Sequence, residues 1–214
     1  MMKKTLFCLL VFLVSLSLFA RGGKETVTVE EKINVITMAI PVDPDGLDPM
    51  LTASASTFQI TSNIYETLIT VDEKGNLEPC LADSWSISED GLSISFNLRE
   101  NAAFSNGKKC GSEEVKESFI RLMSPESLRC KDYSFISEIE TPDEKTIVFK
   151  MNEINVAALS SFAYPWAAVV DTEESNLKNK PMGTGPYCLS SWVPQEKLVL
   201  ALNPYYGKEV KNDG

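Results

Sequence analysis

Apolar and polar positions alternate along two stretches of the chain, as they do in strands that bury one face. The apolar positions in residues 84–98 recur at every second residue on both sides of Asp90 and Gly91. This pattern predicts two strands joined by a hairpin turn. Residues 134–152 alternate in the same way around Pro142, and they predict a second strand pair.

Further strands are predicted near the two ends of the chain and around Gly75. The run 33–40 is apolar and β-branched, which predicts a buried strand. The acidic turn at Gly75 indicates another hairpin. Residues 196–207 predict a last strand that ends at Pro204.

Apolar residues also recur at steps of three and four, and this period predicts helices. One such stretch runs from Ser54, its expected N-cap, to Leu68, and a second covers residues 113–122, with Ser112 as its expected N-cap. Residues 153–162 predict a short third helix. Because hairpins outnumber helices, the expected fold class is α+β, a mixed α/β architecture.

Charge and composition exclude several classes of function. The formal net charge is -10 over 214 residues, so the chain has no general attraction for nucleic acid or anionic lipid. Histidine is absent, which removes the commonest general base and the commonest transition-metal ligand. We therefore expect no enzyme activity, no cofactor and no metal site.

The first residues have the layout of a secretory signal peptide. Lys3 and Lys4 precede an uncharged apolar run that ends at Ala20, and that run is shorter than a membrane span. We expect a signal peptide over 1–20 and a flexible polar tether over 21–32. The sequence leaves open whether the signal is cleaved or retained as an anchor. Arg21 stands where a lipoprotein would need cysteine.

Four cysteines remain after the predicted cleavage site, and their state stays open. An even number of cysteines in an oxidising compartment permits disulfides, with three possible connectivities. Each thiol can equally be a small buried apolar group. No pair has the spacing of metal ligands. The four are Cys80, Cys110, Cys130 and Cys188.

The stretch Met182–Tyr187 reads MGTGPY and predicts a tight turn. Gly183 and Gly185 run into Pro186, which has no N–H to offer a phosphate, and the spacing fits neither a P-loop nor a dinucleotide turn. We expect the two glycines to be needed for backbone conformation, because glycine adopts positive φ and Pro186 fixes the exit of the turn.

Five ordered blocks carry a resemblance to a known family. They are LDP at 47–49, residues 64–108, EEVKESFIRL at 113–122, GTGPY at 183–187 and NPYYG at 203–207. Together they resemble the N-terminal part of family 5 extracellular solute-binding proteins, the peptide- and nickel-binding class that serves ABC importers. The resemblance implies a periplasmic-binding-protein-like type II lobe with an inserted smaller α/β subdomain, truncated before a second lobe.

The resemblance also implies a domain layout. The N-terminal lobe would occupy residues 33–207, with the inserted subdomain at about 54–180 and a tail at 208–214. The glycine-rich turn would return the chain from the subdomain to the main lobe. Gly183, Gly185, Pro186 and Tyr187 form this structural turn.

Ligand contacts are expected where relatives border their cleft. These positions are Met50, Leu51 and Thr52 after the LDP turn, Tyr133 after the long helix, and Tyr164 with Trp166. For each of them an ordinary loop or core role is the alternative.

The resemblance implies the substrate-binding component of an ABC importer. It would capture peptides in the periplasm or at the outer face of the cytoplasmic membrane, as a monomer that docks on ABC permease subunits. An exported single-lobe remnant or interaction protein without uptake function is the alternative. Peptide length, or nickel or haem as the ligand, and the origin of the missing lobe stay open.

Overall fold

The computed structural model describes residues 36–208 of the chain. The predicted signal peptide and tether and the end of the chain lie outside the described residues. By its contacts the chain divides after Ala39, so Ile36–Ala39 are described separately from Ile40 onward. Within the described range, no helix combines the length and the apolar character needed to cross a bilayer.

The described residues form eight strands, three α-helices and two 3₁₀ helices. The strands are β1 (Ile69–Val71), β2 (Leu77–Pro79), β3 (Ala82–Ile87), β4 (Ser93–Leu98), β5 (Ile136–Glu140), β6 (Thr146–Met151), β7 (Tyr187–Val193) and β8 (Lys197–Leu202). The α-helices are α1 (Ala55–Thr61), α2 (Ser112–Leu122) and α3 (Ala158–Ser161), and the 3₁₀ helices are Cys130–Tyr133 and Pro165–Ala167. The α+β fold class is confirmed.

A four-stranded antiparallel sheet in the order β3-β4-β6-β5 forms the centre of the fold. Its inner face carries the alternating apolar residues of β4 and β6, such as Phe96 and Phe149. Phe119 of α2 and Phe162 after α3 pack on the same face, with ring centroids 4.8 and 4.6 Å from that of Phe149. This aromatic cluster joins the sheet to the helices and supplies much of the apolar area that the fold buries.

The predicted hairpins are confirmed. β3 and β4 are joined at Asp90 and Gly91, where glycine has φ +70°. The turn between β1 and β2 uses Gly75 with φ +85°. Glycine meets the positive φ of both turns at little cost. The strand pair predicted around Pro142 is the antiparallel pair β5–β6, and β7 and β8 form a fourth such pair.

The N-cap of helix α2 lies one residue before the predicted one. Gly111 is the N-cap, and Ser112 is the first helical residue. The Ser112 hydroxyl donates to the Asp143 carbonyl and is not available for capping. The Glu114 carboxylate accepts from the Gly111 N–H at 3.0 Å, so a side chain still satisfies one N–H at this helix end. For α1 the predicted cap is confirmed, since Ser54 accepts from the Thr57 N–H, but the helix ends at Thr61 and not at Leu68 as the period predicted.

The predicted buried strand over 33–40 lies only partly within the described residues. Its described part, Ile36–Ile40, has no regular secondary structure, and the Ile36 and Met38 side chains are 91% and 63% exposed. For this part the prediction is wrong. A β-branched apolar run favours a strand, but a strand also needs a hydrogen-bonding partner, and no partner strand pairs with it in the part of the chain that the structure describes.

Candidate functional site

The loop after the LDP turn exposes only one of its three predicted ligand-contact residues. Leu51 is 44% exposed, whereas Met50 and Thr52 are buried. The Thr52 hydroxyl donates to the Asp45 carboxylate at 2.8 Å. Only Leu51 therefore presents its side chain at the surface, and its two neighbours anchor the loop.

An ion pair holds this loop against α2. The Arg121 guanidinium of α2 pairs with the buried Asp48 carboxylate, and its Nη1 lies 2.9 Å from the Met50 sulfur. The Met50 carbonyl in turn accepts from the Leu128 N–H at 3.1 Å. Beside the loop is an open pocket of about 330 Å³. Its lining residues are Met50, Leu51, Arg121, Ser124, Glu126 and Ser127.

Tyr164 and Trp166 form a stacked pair at the surface. Their ring centroids lie 4.7 Å apart with an interplanar angle of 24°, and Tyr164 is 47% exposed. The Arg129 guanidinium lies over the Trp166 ring, 4.3 Å from its centroid. Phe58 of α1 contacts Trp166 from another direction, with centroids 6.0 Å apart. These contacts bring three segments that are distant in sequence to one place.

Tyr133 is close to this pair and is fully buried. Its hydroxyl donates to the Ser161 carbonyl at 2.8 Å, and its ring is 6.2 Å from that of Phe119 in the core. Burial is the main cause that raises the pKa of the Tyr133 hydroxyl well above its usual range. In this arrangement Tyr133 belongs to the core, and a direct ligand contact stays a prediction.

We call the partly exposed group formed by Leu51, Leu128, Arg129, Tyr164 and Trp166 the aromatic surface. Leu128, at 60% exposure, and Arg129 were not predicted from the sequence. They follow a short loop after α2 that has no periodicity. Only the tertiary contacts to Met50 and Trp166 reveal them. The surface is apolar with one cation at its edge, which suits a small solute with an apolar group.

The MGTGPY stretch is a separate feature, and we call residues 182–187 the closure segment. Neither of its glycines has positive φ, so the predicted conformational reason is wrong. A Cβ on Gly183 would lie 2.2 Å from the Ile64 carbonyl oxygen, and one on Gly185 would lie 2.7 Å from the same oxygen. Both positions are glycine because the backbone passes too close to residue 64 for any side chain.

Hydrogen bonds join the closure segment to residues 63–64 and to Asn203. The Gly185 N–H donates to the Ile64 carbonyl, and the Tyr187 N–H donates to the Asn63 carbonyl. The Gly185 and Pro186 carbonyls accept from the side chain and the backbone N–H of Asn203. The segment thereby ties the end of α1 to the β7–β8 pair.

A buried ion pair lies after α1. Arg99 Nη1 is 2.8 Å from Glu66 Oε2, and both side chains are at most 6% exposed. The guanidinium N–H bonds are not aligned with that oxygen, so the attraction is between charges rather than along a hydrogen bond. Tyr206 covers the guanidinium at 5.7 Å, and Lys208 Nζ lies 3.7 Å from Glu66 Oε1.

The thiol of Cys80 lies against the same carboxylate. Its sulfur is 3.8 Å from Glu66 Oε1, and burial, followed by the Glu66 charge, raises the pKa of the thiol to about 11. Cys80, Cys110, Cys130 and Cys188 are all free thiols in the structure. Among residues 36–208 no group of three cysteine or carboxylate side chains is placed to hold a metal ion.

The family comparison decides what kind of protein this is. Residues 76–214 match the family model for bacterial extracellular solute-binding proteins, family 5 middle. The chain belongs to this family.

Relatives of this family 5 protein include curated and solved examples. The chain is 29% identical over 188 residues to the probable D,D-dipeptide-binding periplasmic protein DdpA of Escherichia coli K12, covering 81% of this chain and 36% of that protein. The structure of DppA from Helicobacter pylori in complex with the peptide STSA has a TM-score of 0.71 at 28% identity, over 78% of this chain and 39% of that one.

A nickel ABC transporter structure from Bacillus halodurans is also similar, with 34% identity and a TM-score of 0.69 over 78% of this chain and 34% of that one. These similarities confirm the predicted family and the periplasmic-binding-protein type of fold. The chain spans about a third of the length of the relatives it matches.

Proposed function

We propose that this chain is the substrate-binding component of an ABC importer and that it captures peptides outside the cytoplasmic membrane. Family membership supports the solute-binding part of this proposal. The peptide part is supported by one relative whose name states D,D-dipeptide binding and by a second, DppA, whose structure contains a bound peptide. A role outside the cytoplasm agrees with the predicted signal peptide.

The observation that carries the proposal is the convergence at the aromatic surface. Leu51 lies on the loop after the LDP turn, Arg129 in the loop after α2, and Tyr164 just before a 3₁₀ helix. Nothing in the local sequence requires these segments to meet. Their contacts place partly exposed rings together, and such rings contribute large contact area at low conformational cost.

The remaining parts of the proposal concern partners and domains. We propose a monomer that docks on ABC permease subunits, with the lobe at residues 33–207 and the subdomain at about 54–180. In a two-lobed binding protein, affinity comes from contacts made by both lobes during hinge closure. For the 214 residues tested by themselves we expect weak affinity for peptides, in about the millimolar range.

Ligand-observed NMR tests this proposal because it detects weak binding. Saturation-transfer spectra of the full chain with the dipeptide Ala-Phe should contain transfer signals from the phenylalanine ring. The change Tyr164→Ala should remove most of that signal. Tyr205→Ala is the matched control, because Tyr205 is 50% exposed but lies outside the aromatic surface.

Two results would contradict the proposal. One is the absence of transfer from any member of a panel of di-, tri- and tetrapeptides. The other is equal signal from the wild type and Tyr164→Ala, which would move the binding site away from the aromatic surface.

A further inference from the structure

The three arginines of the described residues differ in how their charge is balanced. Arg99 is buried against Glu66, and Arg121 pairs with the buried Asp48 carboxylate. Arg129 has only Asp132, whose carboxylate is 3.7 Å from Nη1 and whose side chain is 53% exposed. A loose pair at the surface contributes little. Arg129 is therefore the arginine whose charge is available to another group.

The geometry around Arg129 holds the guanidinium in place. Its central carbon lies over the Trp166 ring, 4.3 Å from the centroid, and such a contact positions an arginine against the ring while its N–H groups stay able to donate. Nε is buried and has no hydrogen-bond partner. The side chain as a whole is 32% exposed. A planar donor that is fixed in orientation and partly open to solvent suits bidentate binding of a carboxylate.

Apart from Asp132, the groups near Arg129 are uncharged: Leu128 precedes it in the chain, and Tyr164 stacks on the Trp166 ring that the guanidinium covers. Leu128 and Tyr164 are 60% and 47% exposed, and neither carries a charge. A solute that uses both features would need an anionic group next to an apolar or aromatic group. The acidic character of the chain opposes anions only at long range, and salt screens that field beyond about 8 Å.

We propose that Arg129 binds a free carboxylate of the solute while Tyr164 and Leu128 contact the neighbouring apolar group. This inference rests on the proposed function, because it concerns the same surface. It assigns a specificity role to a residue that the sequence pattern did not indicate. The carboxylate can belong to a peptide C-terminus or to an acidic side chain, and the test separates these two sources.

Three peptides and the full chain make up the experiment. Ala-Phe has a free C-terminal carboxylate, Ala-Phe-amide has none, and Glu-Phe-amide has a carboxylate only on its side chain. NMR titrations should give about tenfold tighter binding for Ala-Phe than for Ala-Phe-amide, as expected for a charge-assisted pair. Tight binding of Glu-Phe-amide would assign the side-chain source, and weak binding would assign the C-terminus.

Variants test whether Arg129 causes the difference in affinity between Ala-Phe and Ala-Phe-amide. Arg129→Gln should weaken Ala-Phe binding by about tenfold and leave Ala-Phe-amide unchanged, and Arg129→Lys should restore part of the loss. Lys131→Gln removes an exposed charge from the 3₁₀ helix that follows Arg129 and should change neither affinity. Circular dichroism of each variant tests that it is folded.

The possible failures are distinguishable. If Ala-Phe and Ala-Phe-amide bind equally, or if Arg129→Gln weakens both by the same factor, the carboxylate inference is wrong while peptide binding stands. If none of the peptides binds, the proposed function fails and the inference with it.

Discussion

Arg99 and Arg129 both lie over an aromatic ring, yet their surroundings are opposite. Arg99 is 5% exposed, with Glu66 at 2.8 Å and Tyr206 above it. Arg129 is 32% exposed, with a carboxylate only at 3.7 Å and Trp166 beneath it. The first arginine belongs to the packed region that joins α1, β4 and the residues after β8. The second belongs to the aromatic surface.

This difference separates the charge of Arg99, which stabilises the fold, from the charge of Arg129, which is available to bind a ligand. A buried charge must keep its partner, because desolvation without compensation costs several kcal/mol. A partly exposed charge exchanges a weak partner or water for a ligand at little cost. The predictions below test this contrast, beginning with the buried region.

Removing the partner of Arg99 should have the largest effect. Glu66→Ala leaves a buried guanidinium without its counter-ion, and we expect the free energy of unfolding to fall by about 3–5 kcal/mol. Urea denaturation measures this change. Glu138→Ala, which removes an exposed carboxylate from its 3.1 Å contact with Lys150, is the control and should change much less. An equal loss of unfolding free energy in both variants would mean that the buried carboxylate contributes no more to stability than the exposed one.

The closure segment should be nearly as sensitive. Gly183→Ala places a methyl group against the Ile64 carbonyl, and we expect a loss of about 3 kcal/mol by the same denaturation measurement. Gly75→Ala is the matched control, since nothing lies within 4 Å of a Cβ there. Its positive φ should cost about 1 kcal/mol. If Gly183→Ala is as mild as Gly75→Ala, the close approach is not what requires glycine.

Alkaline pH should weaken the buried region through Cys80. Burial and Glu66 raise the pKa of this thiol from 9.0 to about 11, so the folded state holds its proton where the unfolded chain ionises. The stabilising contribution is complete below pH 9 and is lost as pH rises towards 11, by about 2 kcal/mol.

The measurement for Cys80 is a comparison of unfolding curves between pH 8 and 11. Wild type should lose more stability than Cys80→Ala over this range, because other titrating groups are common to both proteins. Parallel stability curves would mean that Cys80 titrates alike in the folded and unfolded chains.

Arg129→Gln should have the smallest effect on stability. Because its charge is partly exposed and loosely paired, we expect the free energy of unfolding to stay within about 0.5 kcal/mol of wild type. Chemical denaturation of both proteins provides the comparison. A loss as large as that of Glu66→Ala would give Arg129 a structural role similar to that of Arg99.

Local sequence patterns were sufficient for the hairpins and for the helices α1 and α2. The turns at Gly75 and Gly91 were predicted because a short loop and its glycine are encoded by adjacent residues. The cap of α2 was misplaced by one residue, since Ser112 bonds instead to Asp143, which is 31 residues away. The strand at Ile36–Ile40 failed for the same kind of reason, because strand formation depends on a partner elsewhere.

The candidate site was predictable only in part. Leu51, Tyr164 and Trp166 were identified through the family resemblance, and the structure places them at the surface or against it. Leu128 and Arg129 carry no local signal, because their position depends on contacts with Met50 and Trp166. The need for glycine at 183 was recognised, but its physical cause was not, since a close approach to Ile64 cannot be read from neighbouring residues.

The sequence by itself determined the hairpins around Gly75, Gly91 and Pro142, the family and the acidic, histidine-free chemistry of this protein. These properties follow from composition, short-range periodicity and ordered motifs, all of which are local. Only the tertiary structure decided which arginine is buried, why Gly183 and Gly185 lack side chains, and which residues meet at the aromatic surface. Those outcomes depend on burial and on contacts between distant segments, and both arise when the chain packs.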